Sequence, residues 1–263
     1  MIPPALLPGL PPFGVGGYAR DALEPYLRDF VALNAWRSDV RAQAEQAKAR
    51  GLRVYLYGTP EHWRPDTWRA SLGRIVAQCR ELGCVGIIAD AEGNWEGQSA
   101  QARALGAELA KASAVVNVGF TSYPMWAHVR TLAAQCKGKV WATPQLYGRT
   151  GNGDAVFQRW YAPWVAAFGM GRVVPSIAGW VSSDALATSE GYRAYLAAIP
   201  PACAVIAWDE SGSAPRHILQ ALSTYKPGNR AAKTVEALFV QPLVVVTIAV
   251  ALVAIASQTV KVA

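Results

Sequence analysis

Along most of the chain, short β-branched or aromatic runs alternate with longer stretches whose apolar residues recur at helical spacing. That alternation is the pattern of βαβ units and a parallel sheet. Eight strands are expected, at 13–18, 30–36, 53–58, 84–92, 115–121, 140–147, 173–180 and 204–209. Helical segments follow each, among them 39–50, 65–82, 98–112 and 183–198, several opened by Asp, Ser or Pro. Eight such units predict an α/β fold, a closed (β/α)8 TIM barrel spanning 13–225. The alternative is a doubly wound open sheet, which would more often carry fewer strands and one glycine-rich phosphate turn. Gly14, Gly16 and Ala19 spell such a turn only weakly, because little strand precedes them and Asn34 stands where a ribose-binding acid belongs. A tight first turn of the barrel is the better expectation for this run.

The ends depart from the repeat. Residues 1–12 are apolar, rich in proline and without a basic start, which predicts an extended arm rather than a secretory signal. A linker at 226–236 contains Lys226, Arg230 and Lys233. Beyond it, 237–257 is uncharged and apolar apart from a few polar residues, chiefly Gln241 and Thr247. Twenty residues of helix would span about 30 Å, the thickness of a hydrocarbon core, so a C-terminal hydrophobic helix that anchors the chain in a membrane is expected. Docking of this segment on a protein partner, in an oligomer or a virion, is the alternative. The basic residues before the segment would leave the barrel on the cytoplasmic side.

Composition changes this picture little. The 263 residues are 52% hydrophobic and 16% charged, which excludes a disordered chain and fits one large domain. A net charge of +7 is compatible with anionic surfaces, but no block of like charge or nucleic-acid motif accompanies it, so no specific nucleic-acid partner is expected. Cys79, Cys84, Cys136 and Cys203 form no CxxC pair and the chain has three His. Free thiols are therefore expected, with no metal and no cofactor.

In such a barrel the chemistry belongs at the C-terminal ends of the strands. The fourth strand reads Val85-Gly-Ile-Ile-Ala-Asp90-Ala-Glu92, and a period of two puts Ile88, Asp90 and Glu92 on the inner face. Two carboxylates in one pocket raise each other's proton affinity, so one can serve as a general acid near neutral pH. Glu92, nearer the rim, is the candidate acid, and Asp90 the group that orients or polarises. Gln145 and Tyr147 share a face at the end of strand six. Tyr123, Trp180, Trp208 and Asp209 also fall at strand ends, as do Trp36, Trp63, Trp95 and Trp126. Aromatic faces beside polar tips suit a sugar ring, with Trp68, Trp141, Trp160 and Trp164 left to packing.

Asp90 and Glu92 resemble the last two acids of the DxxDxDxE signature of the family 18 glycoside hydrolases, the chitinase-like barrels. Val85 and Ile88 replace its first two, and the family's Ser-x-Gly-Gly is absent from Leu56-Tyr-Gly-Thr59. Gln145-Leu-Tyr147 is similar to the Gln-x-Tyr that some members place beside the N-acetyl group, and Trp208 resembles their strand-eight tryptophan. The family 25 lysozymes are a second resemblance, through Asp-x-Glu on strand four, Phe120-Thr-Ser-Tyr123 and Val140-Trp-Ala142, although their first-strand Asp is missing. The resemblance implies hydrolysis of a polysaccharide containing N-acetylated sugars, chitin-like or peptidoglycan. Strand seven offers no acid to act as a nucleophile, so assistance by the substrate's own acetamide is the implied mechanism, with Asp209 as a fallback second acid. The missing signature acids leave a second function class open, a catalytically inactive barrel that binds glycan or builds an assembly.

Overall fold

A computed structural model describes residues 11–12, 14–19, 26–123, 127–136, 138–147, 157–169, 171–181, 186–199, 204–209 and 214–227. Most of the N-terminal arm, Trp126, Cys203, nearly all of the basic linker and the apolar C-terminal segment lie outside these residues. Among the described residues no helix is long and apolar enough to cross a membrane.

Eight parallel strands close on themselves in sequence order, the last pairing with the first. They are β1 Gly14–Ala19, β2 Phe30–Asn34, β3 Arg53–Tyr57, β4 Gly86–Asp90, β5 Asn117–Ser122, β6 Trp141–Leu146, β7 Ser176–Ala178 and β8 Ala204–Asp209. The direct β1·β8 pairing, from Gly14 with Ala204 to Ala19 with Asp209, rules out the open doubly wound sheet. Around the strands run α1 Val40–Ala49, α2 Trp68–Glu81, α3 Ser99–Ala112, α4 Ala127–Cys136, α5 Ala162–Phe168, α6 Ser189–Ala197 and α7 Arg216–Thr224. The connection from β1 to β2 lies partly outside the described residues, and its described part, 26–29, is not helical.

The alternation along each strand divides two cores. Val31, Leu33, Val54, Leu56, Ile87, Val118 and Val205 face outward and pack under the helices. Tyr18, Phe30, Tyr55, Tyr57, Ile88, Trp141, Val174 and Ile206 fill the barrel itself. Ring closure leaves room for side chains this large only where a neighbour is small. A Cβ on Gly16 would lie 2.5 Å from Phe30, and one on Gly119 would lie 2.5 Å from the Trp141 ring. The glycines near the N-terminus therefore do not form a turn, as the sequence suggested. Gly14, Gly16 and Gly17 belong to β1 itself, and two of them yield space to Phe30 and Tyr26.

Helix ends follow local chemistry. Thr188 caps α6, its hydroxyl accepting from the Gly191 amide at 3.0 Å. Asp39 stands at the α1 cap position but its carboxylate accepts from the Arg37 guanidinium instead, at 2.6 and 2.8 Å.

Candidate active site

β4 ends at Asp90, which is fully buried, and Glu92 follows one layer closer to the rim and half-buried. Across β5, the inward side chains of β6 lean back toward them. The register explains the meeting: Asp90 lies beside Thr121, and Thr121 beside Thr143, so Gln145, two residues further on, sits in the same layer as Glu92. The Gln145 Nε2 donates to Glu92 Oε1 at 2.8 Å, with longer contacts to Asp90 Oδ1 at 3.4 Å and Thr121 Oγ1 at 3.5 Å. The Thr121 hydroxyl donates in turn to the Thr143 carbonyl at 2.7 Å.

Burial pushes the Glu92 carboxyl above its ordinary pKa. Hydrogen bonding to Gln145 and Asp90 opposes that rise, and the negative charge of Glu61 on the loop after β3 adds to it. The net direction favours the protonated form, as a general acid requires. Tyr147 is buried, and its phenol is held well above the usual value by burial first, then by Tyr18 and Asp90. It therefore keeps its proton and can donate a hydrogen bond into the site. Ser176 of β7 stands beside that hydroxyl.

Four of the expected aromatic residues join this centre. Tyr147 packs on Trp180 with ring centroids 4.8 Å apart and meets Tyr123 edge-on at 6.2 Å. Trp208 packs on Tyr18 at 4.5 Å and on Tyr57 at 5.7 Å. Tyr123, Trp180 and Trp208 are each only partly buried, leaving surface for a ligand. Trp36 is not part of this group: its ring stacks on His62 at 3.9 Å and carries the Arg74 guanidinium at 5.0 Å, so its faces are already engaged. Trp63 and Trp95 also leave the rim. Both are fully buried within the segments that follow β3 and β4, with the Trp95 indole donating to the Trp63 carbonyl. Asp209 closes β8 opposite Ala19, its side chain lying outside the described set, and Trp126 is outside it altogether. Trp68, Trp141 and Trp164 are buried in packing roles, as the sequence suggested.

Thr121 and three further residues were missed. Tyr18, facing inward near the C-terminal end of β1, has its phenol raised by burial and by Asp90, and lies near Thr121 and Thr143. Thr143 and Ser176 are likewise fully buried on the inner face. The period of two in their strands could have placed them, but hydroxyl residues on a strand carry no chemical signature of their own.

No known sequence family matches the chain, and no curated protein matches it either. Solved structures do. A chitinase from Chromobacterium violaceum ATCC 12472 superposes with a TM-score of 0.59 at 10% identity, over 80% of this chain and 98% of that one. An endo-β-N-acetylglucosaminidase from Cordyceps militaris gives 0.56 at 13%, over 82% and 92%. The spore cortex-lytic enzyme SleL of Bacillus megaterium QM B1551 gives 0.57 at 9%, over 81% and 74%. The chain shares the fold of these barrel hydrolases. At such identities the likeness is one of architecture, and the chemistry has to be argued from the site.

No group of three or more His, Cys, Asp or Glu suited to a metal ion occurs among the described residues. Cys79, Cys84 and Cys136 are free thiols.

Proposed function

We propose that this protein is a glycoside hydrolase acting on a glycan that contains N-acetylated sugars, either chitin-like or peptidoglycan. The observation that supports it best is the Glu92 carboxyl, lifted in pKa by burial and held through Oε1 by Gln145 over the buried Asp90 at the C-terminal mouth of the barrel.

Glu92 transfers its proton to the glycosidic oxygen as the bond to the anomeric carbon breaks. The acetamide carbonyl oxygen of the same sugar attacks the anomeric carbon, and Asp90, accepting from the acetamide N–H, balances the charge that develops. The Tyr147 hydroxyl donates to the acetamide oxygen and orients it, while Gln145 fixes Glu92. Water then opens the cyclic intermediate, giving a proton back to Glu92. This route needs no carboxylate from β7, where the inward residue is Ser176.

The test is release of reducing ends from purified peptidoglycan and from chitin oligomers by the full chain, with Glu92→Gln as the comparison. Loss of a general acid costs about 10²- to 10⁴-fold in rate. Turnover by the native protein that Glu92→Gln abolishes, with glycan binding preserved, is the expected result. Undiminished turnover in the variant overturns the assignment of the acid. Binding without turnover in both folded proteins overturns hydrolysis in favour of a glycan-binding barrel.

A further inference from the structure

On the opposite face of the barrel, α2 ends in the run Cys79-Arg-Glu-Leu-Gly-Cys84 just before β4. Gly83 adopts φ +60, and two crossed main-chain bonds close the helix: the Gly83 amide donates to the Arg80 carbonyl at 3.1 Å, and the Cys84 amide to the Cys79 carbonyl at 2.8 Å. This loop brings the residue two beyond the helix cap against the third-last helical residue, normally as an apolar contact. Here both positions are cysteine. The Cys79 thiol also donates to the Cys84 carbonyl at 3.5 Å, so the pair is tied in both directions. With the main chains bonded this closely, the Cα atoms are at most about 6.7 Å apart, inside the range of roughly 4.4–6.8 Å that a disulfide bridges.

The two thiols are not equivalent. Cys79 is fully buried, whereas Cys84 is partly exposed. Lys48 on α1 donates to the Leu82 carbonyl at 2.8 Å, setting an ammonium group beside the loop. The Cys79 thiol, acting as donor, and the Lys48 charge both favour the Cys84 thiolate, while Cys79 itself is driven far up. Cys136 provides a contrast, being buried, donating at 3.8 Å to the Gly106 carbonyl and pushed up to about 12.

We propose that Cys79 and Cys84 form a dithiol redox site that a hydroperoxide oxidises to a disulfide across the end of α2. The Cys84 thiolate attacks the peroxide oxygen, the O–O bond breaks, and with hydrogen peroxide one water leaves as Cys84 becomes a sulfenic acid. The Cys79 sulfur then attacks the Cys84 sulfur, the S–O bond breaks and a second water departs. Two thiols and one peroxide give one disulfide and two waters. The bond staples α2 to the segment entering β4 and leaves the rim, where Glu92 stands, untouched.

The full-length protein is treated with a few equivalents of hydrogen peroxide, alkylated with iodoacetamide and digested with trypsin, which cuts between the two cysteines after Arg80. Expected is a linked pair of peptides, 75–80 with 81–103, two hydrogens lighter than their sum and separated by dithiothreitol, while Cys136 is found alkylated after unfolding. In Cys79→Ser, Cys84 should accumulate as a sulfenic acid captured by dimedone. In Cys84→Ser, Cys79 should stay unoxidised. Recovery of both peptides singly alkylated, or of Cys84 as sulfinic acid without the linked pair, overturns the site. Dimedone capture at Cys79 in Cys84→Ser overturns the assignment of the attacking thiol. None of these outcomes depends on glycan turnover, so failure here and failure of the hydrolase reading are told apart.

Discussion

Replacing Gln145 with Leu keeps the shape of a side chain that is 7% exposed and removes the amide that donates to Glu92 at 2.8 Å and reaches Asp90 at 3.4 Å. A hydrogen bond to a charged group is worth about 1.5–3 kcal/mol, and 1.36 kcal/mol corresponds to one pKa unit. Loss of the donor favours the protonated carboxyl, so the Glu92 pKa should rise by about one to two further units. Because catalysis requires Glu92 protonated, the basic limb of kcat/KM against pH, measured on a soluble chitin oligosaccharide, should move up by that amount. The same coupling is readable without turnover. A carboxyl whose pKa is higher folded than unfolded makes the protein lose stability as pH rises from about 4.3, the unfolded value, through the folded value. Gln145→Leu widens that window, so its melting temperature should fall below that of the native protein by about 3–12 °C at neutral pH and by much less below pH 4. A basic limb that stays in place or moves down, with a melting deficit equal at both pH values, would refute the coupling of Gln145 to the Glu92 proton.

Three further substitutions probe the packing and the ligand face. Gly119→Ala places a Cβ 2.5–2.8 Å from the Trp141 ring and should cost about 1–3 kcal/mol in chemical denaturation; an unchanged midpoint would show the barrel interior to be looser than the register implies. Trp95→Ala should destabilise by about 3–5 kcal/mol while leaving KM for glycan unchanged in the folded fraction, as befits a fully buried ring; a raised KM with stability retained would return it to the rim. Trp180→Ala, partly exposed beside Tyr147, should raise KM on the order of tenfold, about 1.4 kcal/mol, with a smaller effect on kcat, and a pure kcat loss would contradict its role as a sugar platform.

The strand pattern pointed to the architecture, because the period of two holds in the strands and helical stretches separate most of them, and eight such units favour a closed barrel over an open sheet, which the β1·β8 pairing decided. It also placed Asp90, Glu92, Gln145 and Tyr147 on inner faces, since facing depends only on parity along a strand. Tertiary structure decided everything that depends on neighbours brought from elsewhere in the chain. Trp63 and Trp95 follow strand ends just as Trp180 does, yet the first two are fully buried and the third stays partly exposed. Trp36 looked equally available until His62 and Arg74 proved to cover it. Tyr18 entered the site only through closure, which sets β1 beside β8 and turns its phenol toward Asp90 from across the barrel. The proton affinity of Glu92 is likewise a tertiary property, because burial, the Gln145 amide and the Glu61 charge reach it from three separate stretches of sequence. Local pattern sets which way a side chain points; only the packed barrel sets what it meets there.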